Sequence, residues 1–376
     1  EFRRVLFRSE ILANPEAYGR SEYGRDEKVM VEFVSANPTG PMHMGNARGG
    51  ALGDCLAAVL DKAGYNAWRE FYVNDAGNQI EKFGCSLEAR YLQIFKGDEI
   101  EFPEDGYQGE DIKDLAKEYA DLNGDSLVNV SAEERKKALV DYALPKNIKK
   151  MQADMEKYKI FYDKWFFESE LHKSGAVKAV VDLLTEKGLT YEKDGAVWYK
   201  NKEVLTQKLL KEGKSQKYID NLELKDDVLI RQNGNPTYFT ADIAYHKNKF
   251  DRGFTTLIDV WGADHHGHVM RMKGAMDAIG YDGDKLNVVL MQLVKLVKDG
   301  ELVRMSKRTG KAIQLGDLLD EVPVDSARFL FNTKEANTQM DFDLDLAVSQ
   351  DNQNPVYYVQ YAHARICSIF KSLRSE

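Results

Sequence analysis

Two short stretches of this 376-residue chain combine residue types that can handle a nucleotide phosphate. The first is His43-Met44-Gly45-Asn46, between a segment that reads as a strand and one that reads as a helix. A helix N-terminus presents unpaired N–H groups and partial positive charge, which suit a phosphate. Gly45, Gly49 and Gly50 would let a flat adenine approach the backbone, and His43 could hydrogen-bond an α-phosphate as charge develops there. The second stretch is Arg304-Met305-Ser306-Lys307-Arg308-Thr309-Gly310, directly after a hairpin strand. Three cations in one loop can clamp a triphosphate and stabilise a pyrophosphate leaving group. Taken alone, each stretch has a plainer explanation: a loop histidine ahead of a tightly packed helix, and a solvated basic turn. Neither G-x-x-x-x-G-K-[ST] nor G-x-G-x-x-G occurs, which removes the commoner phosphate loops. His265, His266 and His268 invite a metal reading, but H-E-x-x-H spacing is absent and no Cys or distant carboxylate pattern completes a site.

The elements that must position these residues follow from periodicity. KVMVEFV from Lys28 reads as a strand, ARGGALGDCLAAVLDKAG as a helix ending at Gly64, and NAWREFYV as a second strand. Strand, loop, helix and strand in about 45 residues form a βαβ unit and argue for a parallel sheet. From about residue 84 to 190 the chain turns helical, with Pro145 expected to break the long charged stretch Ala132 to Lys159. Turns are expected at Asp194-Gly195, Asn233-Gly234 and Asp299-Gly300. TTLIDVWG reads as a strand, HHGHVMRMKGAMDAIG as a helix, and KLNVVLMQLVKLVKDGELV as a strand pair. From about Asn354 a helix carries Val359, Ala362, Ile366, Ile369, Phe370 and Leu373 on one face.

With 43% apolar and 30% charged residues the chain can bury a sizeable core, in two to three domains at ~150 residues each. No run approaches the ~18 apolar residues of a membrane span. The net charge of −9 excludes a general polyanion binder, so any nucleic acid must meet a local basic face. Cys55, Cys85 and Cys367 are widely spaced and form no C-x-x-C, which suits a reducing cytosol.

Taken together, S-A-N-P-T-G-P-M-H-M-G-N and, some 260 residues later, M-S-K-R resemble the paired signatures of class I aminoacyl-tRNA synthetases. The details VEFVSANPTGPMHMGN, YVNDAGNQI, NPTYFTADIAYH, VWGADHHGHVMRM, VRMSKRTGKAIQLGDLLDEV, FDLDLA and NPVYYVQYAHARICSI resemble the arginyl-tRNA synthetases, from about residue 20 to the end. The second His of the adenylate signature is Asn46 here, and the first Lys of the loop signature is Arg304, so the main catalytic weight falls on Lys307. The resemblance implies His43, Asn46 and Lys307 as catalytic residues, with Gly45, Met305, Ser306 and Arg308 completing the ATP site. It places arginine binding at Ser35, Asn37, Tyr238 and Asp242, and also at Glu32 and His265. A guanidinium stays charged and presents its donors as a planar fork, so it calls for a carboxylate. Tyr238 and Asp242 stand at i, i+4 and share a helical face, with Asp242 as the guanidinium anchor unless it serves as an N-terminal capping carboxylate.

The fold expected is α/β: a Rossmann-like parallel-sheet catalytic domain with a mostly helical insertion, followed by the start of an all-α C-terminal domain. Residues 1–9 read as an adapter artefact and 10–27 as a remnant or linker of a missing N-terminal domain. The catalytic domain takes 28–84 and 191–352, the insertion 85–190, and the first helix of a truncated anticodon-binding domain 353–376. The resemblance implies ATP as substrate with Mg2+, no tightly bound cofactor, and L-arginine and tRNA(Arg) as partners, in a cytoplasmic protein, monomeric at full length. Lys and Glu runs such as KNIKK and ERKK read as solvated faces, the other reading being contact with a tRNA acceptor end. The alternatives are another class I synthetase or nucleotidylyltransferase, for which Tyr238/Asp242 discriminates, and a non-catalytic synthetase-derived arginine binder, against which His43 and Lys307 argue. For the histidine cluster, elemental analysis of the purified chain should find no stoichiometric zinc or iron. Zinc removable only with loss of fold would revive those histidines as ligands.

Overall fold

A β-branched run without polar interruption suits a strand covered on both faces. Lys28–Glu32 (β1) is such a strand, and every residue after Lys28 is buried. In the computed structural model, which describes residues 9–303 and 313–375, β1 is the central member of a five-stranded parallel sheet. On one side lie β2 (Asn66–Val73) and β3 (Lys164–Phe167). An antiparallel sheet of β4 (Thr190–Lys193), β5 (Ala196–Tyr199) and β6 (Asp227–Ile230) then intervenes. The chain returns to the other side of β1 as β7 (Thr256–Gly262) and β8 (Leu286–Met291). A third sheet follows, formed by β9 (Val294–Lys298), the short β10 (Glu301–Leu302) and β11 (Met340–Asp343).

Alternation along the strands sorts side chains onto two covered faces. Val31, Phe33, Phe71 and Val73 pack with Ala47, Ala51 and Ala57 of α1 (Met44–Lys62). Met30, Tyr72 and Phe166 face the opposite core. That core also holds Ile243 and Ala244 of a helix over Tyr238–Asp251, and Met272 and Met276 of one over His266–Ile279. Gly53 lets α1 sit directly on the end of β1: a Cβ there would fall 2.2 Å from Phe33 Cγ.

The helical excursion has its own core. In α2 (Asn78–Lys96), α3 (Glu110–Asn123) and α4 (Ala132–Lys157), Phe83, Leu87, Tyr91, Ile112, Leu115 and Leu139 cluster together. Three expectations change here. The α-helical excursion begins at Asn78 rather than 85, and before residue 190 the chain re-enters the main sheet as β3, an edge strand too short to show a clear period. α4 runs unbroken through Pro145. Leu139, Ala143, Asn147, Met151 and Met155 are buried along it, and that packing outweighs the one hydrogen bond a proline removes. The apolar run after Lys285 is divided between two sheets, with Gln292 and Leu293 between β8 and β9. The turns at Asp194-Gly195 and Asp299-Gly300 form as expected, with φ of +53° and +72°, and +53° and +75°. The last helix, Pro355–Ser375, leaves Val359, Ile366, Ile369, Phe370 and Leu373 each more than half exposed. No helix among the described residues is long and apolar enough to cross a membrane.

Between β1, β7 and the helix written α5 hereafter (Tyr238–Asp251) lies a buried ionic quartet. Lys249 Nζ donates to Glu32 Oε2 at 2.5 Å and to Asp259 Oδ1 at 2.8 Å, and none of the three is more than 9% exposed. His246 Nε2 lies 2.7 Å from Asp259 Oδ2, while Nδ1 lies 2.7 Å from the Asp242 carbonyl oxygen. Both partners accept hydrogen bonds when Asp259 is ionised, so each ring nitrogen of His246 faces an acceptor. Burial disfavours the Asp259 anion, but Lys249 and His246 together outweigh it and hold its pKa at about 2. Burial pushes the Glu32 carboxyl up against the pull of Lys249. Removing one member strands the others without solvent. Asp259→Asn should therefore cost on the order of 3–5 kcal/mol, read as a lower urea midpoint at neutral pH. The folded pKa lies below the ~3.9 of an unfolded aspartate, so this carboxylate stabilises fully above about pH 4. The contribution of its charge is lost as pH falls from about 4 through about 2, where the gap between wild type and variant should close.

Candidate active site

The sheet order places a topological switch at its centre: from β1 the chain moves out through β2 and β3, then returns beside β1 as β7 and moves the other way. In open α/β sheets ligands bind beyond the strand C-termini at such a point. Here that region is formed by residues 33–46 after β1 and residues 263–268 after β7.

The first loop leaves β1 through an unusual kink. Val34 and Ser35 have φ of +72° and +44°, left-handed values that cost energy for residues with side chains. The Ser35 hydroxyl holds the kink, donating to Glu32 Oε1 at 2.7 Å and accepting from the Tyr72 N–H at 3.1 Å. Ser35 and Glu32 are thus joined to each other and, through Lys249, to the buried quartet. Asn37 stands exposed two residues on.

His43 is the N-cap of α1, and its N–H donates to Asn46 Oδ1 at 2.9 Å. This spends the amide oxygen on the cap and leaves the Asn46 –NH2 to donate. His43 and Gly45 are exposed, and a Cβ on Gly45 would meet nothing within 4 Å, so a ligand can reach the backbone there. Gly49 and Gly50 do not share that role. They are buried, with Met291 beside the first and Ile160 and Tyr158 beside the second, so their lack of a side chain serves packing.

Chain returning from the second signature meets the first. Met44 N–H donates to the Ile313 carbonyl and Leu315 N–H to the Met42 carbonyl, both at 2.9 Å, which pairs His43 with Gln314. Met305, Ser306, Lys307 and Arg308 themselves lie outside the described residues. Arg48, 1% exposed, reaches from α1 to the other side of that segment. Its guanidinium donates to the carbonyls of Gln292, Thr338 and Glu335 at 3.0, 2.9 and 2.8 Å, tying α1 to the chain around β9 and β11. A cavity of about 410 Å³ opens beside the signature, lined by Asn37, His43, Asn46 and Gln314 and, from the helical excursion, by Tyr107 and Asp111.

Tyr238 and Asp242 begin α5 one turn apart, and the capping position belongs to Thr237. Asp242 Oδ2 lies 3.1 Å from Nε2 of His268, and its side chain is 35% exposed. His265 is placed elsewhere: its imidazole is 60% exposed and lies 3.8 Å from Asp264. Tyr238 also borders a polar cavity of about 810 Å³, with Asn78, Glu81, Glu168, His172 and Arg231. Glu168 is buried and accepts from the Tyr72 hydroxyl at 2.9 Å. Burial pushes its carboxyl up despite Tyr72 and His172, and burial followed by the Glu168 charge pushes the Tyr72 hydroxyl well up.

Sequence reasoning did not single out Glu168, Lys249 or Arg48, and it placed the segment of His268 at the nucleotide and substrate rim without assigning that residue a partner. One signal was present: Asp242, His246 and Lys249 stand at i, i+4 and i+7, an ionisable stripe on a helix whose neighbours are largely apolar. Such a stripe must be paired if it is buried. Glu32, His246 and Asp259 bring ligand-type atoms within 4.8 Å of one another, yet Lys249 Nζ bonds both carboxylates, and that ammonium takes the place a cation would need.

The chain as a whole is similar to known proteins. The chain is 60% identical over 363 residues to the arginine–tRNA ligase of Ruminiclostridium cellulolyticum, which covers 96% of this chain and 61% of the relative. It is 58% identical over the same length and shares to that of Acetivibrio thermocellus. The chain therefore spans about three fifths of the length of these curated relatives. A solved arginyl-tRNA synthetase structure from Campylobacter jejuni superposes with a TM-score of 0.82 at 37% identity, covering 96% of this chain and 75% of that one. Residues 8–366 match the family described as tRNA synthetases class I (R), catalytic domain. By fold and by sequence over nearly its whole length, the chain belongs to that class I arginyl-tRNA synthetase family.

Proposed function

We propose that this chain carries the reaction of an arginine–tRNA ligase. A carboxylate oxygen of L-arginine attacks the α-phosphorus of ATP, the bond to the β-phosphate oxygen breaks, and arginyl-adenylate and pyrophosphate form. A hydroxyl of the terminal ribose of tRNA(Arg) then attacks the arginyl carbonyl, and AMP leaves. No covalent enzyme intermediate is required, so the work is positioning and charge stabilisation. Mg2+ would arrive with ATP, whose phosphates supply most of its ligands. The reading includes action in the cytoplasm and a monomeric state at full length.

The observation that carries this reading is Asp242, a part-exposed carboxylate one turn from Tyr238 at the start of α5. A neutral amino acid would give that charge nothing to bind. A guanidinium fork fits it, with the Tyr238 hydroxyl beside it and Ser35 and Asn37 toward the α-amino and carboxylate end. Glu32 would act from within the quartet and His265 from the exposed rim. The N-terminus of α1, with Gly45 open and Asn46 lining the adjacent cavity, would receive the nucleotide with His43. Met305, Ser306 and Arg308 would join Lys307 on the β- and γ-phosphates.

Two measurements test the assignment. In arginine-dependent pyrophosphate exchange with tRNA present, Asp242→Asn should raise the arginine KM about 10–100-fold, the loss expected for a charge-assisted contact of ~1.5–3 kcal/mol, with the ATP KM little changed. Unaltered arginine binding would show that Asp242 is not the anchor. His43→Ala and Lys307→Ala remove donors aimed at charge that grows in the transition state, and each should lower kcat on the order of 10²–10³-fold with a much smaller effect on ATP affinity. Equal losses in ATP affinity and turnover would mark them as plain binding contacts.

A further inference from the structure

The Asp242 carboxylate has one imidazole neighbour, and its geometry constrains what that imidazole does. His268 Nε2 sits 3.1 Å from Asp242 Oδ2, with the ring only 18% exposed. A carboxylate only accepts, so Nε2 carries a proton, and the charge of the ring is decided at Nδ1. We infer that His268 is a positioning residue for the amino-acid pocket: as a neutral imidazole it orients Asp242 toward a guanidinium, and as an imidazolium it competes with that guanidinium for the same carboxylate. This rests on the reading of Asp242 given above.

The surroundings favour such a role. Against the ring stand Phe239 of α5, centroid to centroid 5.7 Å, and Trp261 of β7 at 5.4 Å, so its orientation is fixed by packing. Three residues further along its own helix, Arg271 pairs with Asp227 of β6 at 2.9 Å, and the Glu168 carboxyl and the Tyr72 hydroxyl also act electrostatically with Asp242. Asp227 and His268 also influence each other electrostatically. His265, on the turn before the helix, contacts Trp261 from another side and pairs loosely with Asp264. Asp242 Oδ1 has no protein donor among the described residues, while its backbone carbonyl is held by His246. In the neutral state, then, one carboxylate oxygen is oriented by His268, and an arriving guanidinium can bond Oδ1 and the remaining lone pair of Oδ2. With a proton added at Nδ1, the same contact becomes an ion pair and the incoming cation meets a like charge. Imidazoles as a class make this change between about pH 5 and 8.

The test is calorimetric binding of L-arginine to this chain and to His268→Gln from about pH 8 to about pH 5.5. Glutamine retains an N–H donor but does not titrate. Wild-type affinity should fall about tenfold across that range, whereas the variant, somewhat weaker at the upper end, should stay within about twofold. At about pH 6, arginine binding to the wild type should also release protons, seen as a heat that differs between buffers of different ionisation enthalpy. That measurement needs no variant. A loss of stability alone would weaken binding at every pH without removing the slope. A flat wild-type profile, a variant that keeps the wild-type slope, or binding without proton release would each overturn the inference and leave the arginine reading standing. Failure of the wild type to bind arginine even at about pH 8 would overturn the reading of the site and this inference with it.

Discussion

Four ionisable groups closed off from water between β1, β7 and α5 must satisfy one another, and the geometry of the crevice depends on how they do it. Two basic and two acidic groups carry enough desolvation cost that their positions are tightly prescribed once the sheet forms. Glu32 ends β1, Asp259 lies in β7, and Lys249 and His246 bridge them from one face of α5. Two members also reach outward. Glu32 anchors the Ser35 hydroxyl, and through it the left-handed kink that starts the signature loop. His246 holds the carbonyl of Asp242, the residue whose part-exposed carboxylate meets His268. A buried ionic core thus connects the two halves of the proposed amino-acid pocket.

The nucleotide side is built by a different constraint, close approach. Gly53 and Gly50 let α1 settle against Phe33 and against Ile160 and Tyr158, which brings the helix N-terminus to the C-terminal edge of the sheet. There the backbone of residues 42–44 pairs with residues 313–315, while Arg48 grips three carbonyls around β9 and β11. Among the described residues no carboxylate contacts that guanidinium, and burial pushes its pKa down, so its charge rests on carbonyl dipoles alone. The same short helix segment that offers its N–H groups to the proposed nucleotide thus holds chain on both sides of the second signature.

Much of this was legible locally. Strands β1 and β2 follow from β-branched and aromatic runs, and α1 from small apolar residues at helical spacing after a polar loop. The pairing of Tyr238 with Asp242 follows from i, i+4 geometry alone. The readings that changed share a cause. Pro145 is tolerated because a buried face spanning residues 139–155 holds α4 together, and β3 becomes a strand because β2 offers it an edge. In both, contacts distant along the chain override what the nearest residues favour.

The sequence by itself determined the family, the α/β class, and the residue types able to bind a phosphate and a guanidinium, because these are written in motifs and periods a few residues long. Only the tertiary structure decided which of those residues are exposed and which are spent on one another. Nothing near Glu32 in sequence announces a lysine 217 positions later, nor does His43 announce Gln314. It likewise placed His268, rather than His265, against Asp242. A buried charge takes whichever partner the fold brings within hydrogen-bond distance, and that is a property of how strands and helices meet.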